Sequence, residues 1–247
     1  MPLLIFLFLF FAPAQALAII NAEDLDLSIN EEGLAGKLGL SINGNAGNSA
    51  KINGEASGRL LWRHGAHTEM LVGSYAYGKS RGVRDTNNAF AHFRHRYAVN
   101  EIWDLEAFAQ AQQNEFARLK LRTLLGGGLR WSTQTEGWQA HIGLGSFYER
   151  ESLRGSSAPA TRLWRGNVYL ALHYAINAHV RLQNTVYYQP AWKQTADFRL
   201  LDDAALSVTL SDGLDLRLSL AVAHDSRPPA TIKSTDISYK TGLVYAF

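Results

Sequence analysis

The chain has no cysteine, only two methionines and only six prolines in 247 residues. Without cysteine there is no disulfide framework, no thiolate nucleophile and no Cys-ligated metal, so stability has to come from the packing of secondary structure alone. Charge of one sign is also scarce. The 24 Lys and Arg are nearly balanced by 22 Asp and Glu, which leaves a formal charge of +2 and excludes a strongly basic nucleic-acid footprint. Long hydrophobic runs are missing after the first eighteen residues, and nothing approaches the twenty apolar residues that a membrane-spanning helix requires. His-Glu-x-x-His is absent as well, so no zinc-hydrolase motif of that kind is offered. Yet 47% of the residues are hydrophobic and the mean hydropathy is −0.13, so the apolar groups are dispersed rather than gathered.

At the N-terminus, Leu3 to Phe11 form a short apolar core, followed by Pro13 and the small-residue patterns Ala14-Gln15-Ala16 and Ala16-Leu17-Ala18. This predicts a secretory signal peptide over residues 1–18, cleaved near Ala16 or Ala18. Only the α-amino group precedes the core, and an uncleaved anchor is the alternative. Residues 19–32, acidic from Asn21 to Glu32, read as a periplasmic lead before the first strand at residue 33.

The other end shows how the apolar residues are dispersed. Ile237, Tyr239, Thr241, Leu243, Tyr245 and Phe247 fall on one face of a strand, while Ser238, Lys240, Gly242 and Ala246 fall on the other. One face suits lipid and the other a polar lumen. Twelve such segments can be traced, at about residues 33–43, 51–63, 67–78, 88–98, 102–112, 119–131, 138–149, 162–174, 179–189, 198–210, 214–223 and 235–247. Short connections at 64–66, 99–101, 175–178 and 211–213 are interleaved with longer ones at 44–50, 79–87, 150–161, 190–197 and 224–234. That is the rhythm of periplasmic turns and external loops. The expected fold over residues 33–247 is therefore an all-β, antiparallel up-and-down transmembrane barrel of twelve strands. Ten is the alternative, because 113–118 and 132–137 have similar lengths.

Aromatic residues test this reading, since interfacial rings should share the lipid-facing parity near strand ends. Trp62, Tyr97, Trp103, Trp131, Trp138, Tyr174, Tyr245 and Phe247 do so beside the short turns, and Tyr148, Trp164, Tyr188 and Phe198 beside the long ones. A soluble barrel would turn such rings inward.

The Gly44-Asn45-Ala46-Gly47-Asn48 turn, the block from Asn88 through Phe108-Ala109-Gln110-Ala111-Gln112 to Asn114-Glu115-Phe116, the run Leu121-Arg122-Thr123-Leu124-Leu125-Gly126-Gly127-Gly128-Leu129 and the closing Gly-x-x-Tyr-x-Phe carry a family likeness. In these features the chain resembles the salt-induced YdiY-like outer-membrane proteins, a bacterial family classed as a domain of unknown function. The resemblance covers nearly all of the chain after residue 18. It implies a Gram-negative outer-membrane barrel and brings no catalytic motif with it.

The inward parity carries the charge: Lys37, Lys51, Arg59, Arg94, Arg96, Asp104, Glu106, Lys120, Arg122, Arg130, Arg165, Arg181, Arg199, Arg217 and Lys240 all fall there, with Glu55, Glu149, Asp203, Asp215 and Asp236 as the further acids. A turn centred on Asn100 would set Arg94 opposite Glu106 and Arg96 opposite Asp104 as lumenal ion pairs. The glycines Gly126 and Gly128, on the same parity, read as a sheet bend, with room for an Arg as the lesser possibility. The leading expectation is a largely side-chain-filled envelope barrel with a structural role. A narrow anion-preferring pore is the alternative, and a lipid-modifying or hydrolytic enzyme a distant third. His224, Asp225 and Ser226 cannot converge, because consecutive strand residues face opposite ways. His64, His67, His92 and His141 have no fixed convergence as metal ligands either, and no cofactor or metal is expected. Lys79, Arg81, Arg84, Arg150 and Arg154 at the external end, with Arg162, Lys193, Arg227 and Lys233 nearby, suit lipopolysaccharide phosphates. Outer-membrane lipid, and the barrel-assembly machinery acting on the strand that ends in Phe247, are the other expected partners of what reads as a monomer.

Overall fold

The computed structural model describes residues 32–45, 50–157 and 159–247. The expected signal peptide and most of the acidic lead lie outside these residues, as does most of the Gly44 to Asn48 turn. Twelve strands follow in order: β1 (Gly33–Asn45), β2 (Lys51–His64), β3 (His67–Ser80), β4 (Val83–Ala98), β5 (Trp103–Asn114), β6 (Leu119–Thr135), β7 (Trp138–Leu153), β8 (Thr161–Asn177), β9 (Val180–Ala191), β10 (Gln194–Ser211), β11 (Leu214–Asp225) and β12 (Thr235–Ala246). Each pairs with its sequence neighbours, and β1 meets β12 to close an antiparallel barrel of twelve strands rather than ten.

The period of two is visible in burial. On β8, Arg165, Asn167, Tyr169 and Ala171 are buried toward the lumen, while Trp164, Val168, Leu170 and Leu172 are exposed on the wall. Lipid replaces the missing outer layer, because a barrel with this outer face would otherwise present a continuous apolar surface to water.

The external connections depart from expectation. Residues 79–87 do not form a long loop: β3 and β4 run on as a hairpin to a two-residue turn at Arg81 (φ 50°) and Gly82 (φ 79°). Two consecutive left-handed residues match the right-handed strand twist, and glycine takes the second place without strain. The 190–197 connection likewise shrinks to Trp192 and Lys193 between β9 and β10. A tilted strand crosses in about 9–11 residues, so β10 at 18 residues and β6 and β8 at 17 each extend beyond that span. Polar sequence that reads as loop at 79–87 and 190–197 is largely strand beyond the membrane span.

Closure rests on the last residue. Gly36 and Phe247 exchange backbone hydrogen bonds of 2.8 and 2.9 Å, and the ladder continues from Lys37 opposite Ala246 to Leu40 opposite Leu243. The Phe247 ring lies over Gly36, where a Cβ would stand 2.3 Å from it.

Candidate functional site

Two halves of the lumen differ. Along β4 to β10 it is packed with ionic and aromatic side chains in two layers. The layer nearer the short turns centres on Glu106 of β5, which accepts from Tyr169 Oη at 2.7 Å and meets Arg94 at 3.4 Å and Arg130 at 3.5 Å. The Arg94 guanidinium also sits 5.8 Å from the Phe108 ring and 5.7 Å from the Tyr169 ring, and its Nε donates to His92. Planar guanidinium groups tolerate such stacking better than ammonium groups.

The outer layer centres on Glu149 of β7, held by Arg199, by Arg165 at 3.3 Å and by Arg122 at 3.8 Å. Arg122 and Arg199 share Glu151 at 2.5 and 3.0 Å, Arg199 adds Asp225 at 2.9 Å, and Arg165 adds Asp197 at 2.9 Å. Removing one partner from such a network leaves a buried charge uncompensated. Of these groups Tyr169, Glu151, Asp197 and Asp225 were not among the expected lumenal charges. Tyr169 could have been found, because it shares the parity of Arg165. Asp197 falls in the 190–197 stretch, whose composition reads as loop although β10 begins at Gln194.

Glycines make room for this packing. A Cβ on Gly143 would stand 1.9 Å from the Tyr169 ring, and one on Gly126 would stand 2.5 Å from Phe147 and 2.9 Å from Phe108. At Gly128 it would meet the backbone of Leu144 and Gly145 at 2.5 and 2.7 Å, which is the close approach of strands in a bent sheet. The space near Gly126 therefore serves aromatic rings rather than an arginine.

On the other side, β1, β2, β11 and β12 present small lumenal residues, among them Gly39, Ser41, Ser57, Ser219 and Gly242. Two cavities of about 190 Å³ each share Gly39, Ser57, Arg217 and Val244 along this wall. Lys37, Arg59, Arg217 and Lys240 line them, against Glu55 and Asp203. Lys240 Nζ reaches Glu55 at 2.8 Å, while Lys51 meets Asp85 at 3.0 Å and Arg181 meets Asp215 at 2.5 Å.

Several expectations are corrected. Lys120 does not face the lumen. A bulge between Leu119 and Leu121 places both Lys120 and Leu121 on the exposed side before Arg122 turns back in. The 88–112 hairpin is also shifted, with Arg94 opposite Phe108, Arg96 opposite Glu106 and Ala98 opposite Asp104. The cause is the Asn100 side chain, whose Oδ1 accepts from the Ile102 and Trp103 amides and lengthens the turn. Arg94 still meets Glu106, but diagonally, while Asp104 stands opposite Arg130 on β6.

On the outer wall Trp62, Tyr97, Trp103, Trp138, Tyr148, Trp164, Tyr174, Tyr188, Tyr245 and Phe247 are exposed, and Trp131 and Phe198 are half-buried. Trp192, Tyr75 and Tyr77 join the external end. The wall is not free of charge. Asp202 lies on it and accepts from Asn184 at 2.6 Å, and Glu69 lies on it between His64 at 2.8 Å and His95 at 3.1 Å. His67 stacks 5.4 Å from His64, so three imidazoles gather near Trp62 and Tyr97. Sequence spacing alone could not bring His95 to the 64–67 turn. No group of described residues has the geometry of a metal site.

His224 stacks on Phe198 at 5.5 Å and bonds Thr235, whereas Asp225 turns inward to Arg199 and Ser226 Oγ accepts from the Phe198 amide. These three residues do not converge. At the external rim Arg84 is bonded to Glu115 at 2.6 Å, and Arg154 donates to Gln113 at 3.2 Å. Lys79 stands 5.8 Å from the Tyr77 ring, and Arg150 is exposed on β7.

An ion-lined, closed twelve-strand cylinder with an apolar outer wall and terminal aromatics defines an outer-membrane β-barrel. Residues 38–247 match the family described as "Protein of unknown function, DUF481", the YdiY-like family, and the chain belongs to it. No curated protein matches it. Among solved structures it is similar to the NanC porin, with 10% identity and a TM-score of 0.53 over 85% of this chain and 98% of that one. It is also similar to the KdgM porin in complex with disordered oligogalacturonate (11% identity, TM-score 0.48, 87% and 99% covered). The translocator domain of the autotransporter NalP from Neisseria meningitidis gives 12% identity and a TM-score of 0.48 over 90% and 91%. At such identity the likeness is one of fold.

Proposed function

We propose that this chain is an exported outer-membrane protein forming a narrow, off-axis passive pore that favours small anions. The observation that carries this reading is the asymmetry of the lumen. The β4 to β10 side is filled by paired charges, while the β1, β2, β11 and β12 side keeps contiguous space lined by four cations and two carboxylates. Solutes passing there would meet mainly positive side chains, Lys37, Arg59, Arg217 and Lys240 against Glu55 and Asp203. No catalytic role is proposed. At the external rim Lys79, Arg81, Arg84, Arg150 and Arg154 are offered to lipopolysaccharide phosphates, Arg84 the least readily because Glu115 holds it.

The test is single-channel recording of the refolded protein in a planar bilayer under a salt gradient. Openings with an anion-selective reversal potential, shifted toward cations by Arg217→Glu with Lys240→Glu, support the pore. Electrical silence would instead favour a closed barrel with a structural role in the envelope, for which the buried double layer of ion pairs is the supporting feature.

A further inference from the structure

Near the short turns the outer wall carries a group unlike the apolar rows around it. Trp62, Glu69 and His95 stand side by side on β2, β3 and β4, and the next rung toward the turns is His64, His67 and Tyr97. The rung on the other side is Leu60, Leu71 and Phe93, all exposed as a lipid-facing row is. Trp and Tyr on such a wall sit at the level of the lipid headgroups. Glu69 therefore lies at that depth, one rung from hydrocarbon. The rings form a continuous shelf across three strands: Trp62 is 4.3 Å from His64, His64 is 5.4 Å from His67, and His67 is 5.3 Å from His95 and 5.1 Å from Tyr97.

The hydrogen bonds within the shelf fix its polarity. His64 Nε2 lies 2.8 Å from one Glu69 carboxylate oxygen and His95 Nδ1 lies 3.1 Å from the other. An ionised carboxylate can only accept, so each ring turns an N–H toward it, and the opposite nitrogens, Nδ1 of His64 and Nε2 of His95, carry lone pairs in the neutral rings. Each carboxylate oxygen has a second lone pair beyond the one used by an imidazole, and the Glu69 side chain is 23% exposed. Arg63 and Arg96, the nearest basic residues along these strands, fall on the lumenal parity. Glu32, just before β1, brings a second carboxylate to the adjoining turn by accepting from the Gly65 amide. The shelf thus presents a negative group, acceptor nitrogens and ring faces to the lipid. An ionisable side chain on a lipid-facing wall is costly and calls for a partner of opposite charge.

We propose that the shelf of Trp62, His64, His67, Glu69, His95 and Tyr97 is a binding site for a phospholipid with a primary ammonium head, in the leaflet at the short-turn end. The ammonium brings three N–H donors to a place that offers a carboxylate and imidazole lone pairs. The Trp62 and Tyr97 rings flank it with the faces that attract a cation. Its acyl chains lie along Leu60, Leu71 and Phe93. The site is on the outside of the barrel, so it stands or falls apart from the pore.

The test gives the refolded full chain in detergent equal amounts of phosphatidylethanolamine, phosphatidylcholine and phosphatidylglycerol with the same acyl chains, and counts the retained lipid by native mass spectrometry. Phosphatidylethanolamine is expected to be retained over the other two by roughly tenfold, the ratio that one charge-assisted hydrogen bond supplies. The choline head has no N–H and the glycerol head has no cation, so neither matches the shelf. Glu69→Gln, which keeps the shape and removes the charge, should erase the preference, whereas Glu101→Gln in the next short turn should leave it unchanged. Water-soluble phosphoethanolamine, which lacks the acyl chains, should not displace the lipid at equal concentration. Equal retention of the three lipids, a preference that survives Glu69→Gln, or ready displacement by the free head group overturns the proposal. Solid-state NMR of the unaltered chain in phosphatidylethanolamine membranes gives a check that no variant has to fold for: a dipolar contact between a nitrogen-15 head group and the Glu69 carboxyl carbon is expected, and its absence is equally fatal.

Discussion

The Tyr169 hydroxyl of β8 donates to the Glu106 carboxylate of β5 at 2.7 Å, although 63 positions separate them. Two strands lie between, and the bond crosses the concave wall in front of them because Gly143 on β7 yields its side-chain volume to the Tyr169 ring. It ties strands that share no ladder.

Tyr169→Phe keeps the ring and deletes the donor. The carboxylate would then rest on Arg94 and Arg130 alone, and a loss of about 1.5–3 kcal/mol is expected for a buried bond to a charged group. The midpoint of urea unfolding in lipid vesicles measures it, and an unchanged midpoint would remove the bond from the stabilising set. Gly143→Ala should cost more, because the ring has no second place.

Glu149→Gln takes the negative centre from Arg122, Arg165 and Arg199. Like charges would then be left with Glu151, Asp197 and Asp225 as their remaining counter-ions, at a cost of ~3–5 kcal/mol. Heat-modifiability on gels should show unfolding at lower temperature. A replacement as stable as the parent would mean that water already screens this layer.

Ser219→Trp places a large ring in the open half of the lumen, beside Arg217 and Lys240. Single-channel conductance should fall well below that of the parent, whereas Arg94→Ala, in the packed half, should change it less. The reverse order would move the permeation path to the other side.

Glu115 lies in the external turn between β5 and β6. The Asn87 amide, bonded to it at 2.7 Å, and then Arg84 hold its carboxyl below the usual carboxylate range. A depressed folded value means that its contribution is complete above the unfolded pKa of about 4.3 and is lost as pH falls through the folded value. A carbon-13 carboxyl titration should find Glu115 still ionised where ordinary glutamates have protonated. Titration at the ordinary value would show the bonds to be open in solution.

Asp202→Leu removes a carboxyl from the outer wall, where acidic side chains cost less than the ~2–4 kcal/mol of a lysine or arginine at mid-bilayer. A gain of about 1 kcal/mol is expected once the Asn184 bond is given up. Destabilisation would show that the pair is covered by something other than acyl chains.

The sequence by itself determined the cylinder. A period of two with oily residues on one parity and charge on the other admits few structures, and each segment from β1 to β12 is long enough to cross a bilayer, so the barrel and the side of most charges could be read in one dimension, while the choice of twelve strands over ten waited for the 113–118 and 132–137 connections to be seen as turns. What tertiary structure decided is everything that depends on register and closure. Whether polar stretches such as 79–87 are loop or extended hairpin, whether Lys120 faces in or out, and whether Arg96 meets Asp104 or Glu106 depend on a bulge or on one Asn side chain in a turn, and a shift of two residues preserves the parity while changing every partner. The packed and open halves of the lumen, the gathering of His95 with His64 and the closure of β1 on β12 are contacts between distant strands. No local pattern encodes them, because they exist only once the sheet has curled and its two ends have met.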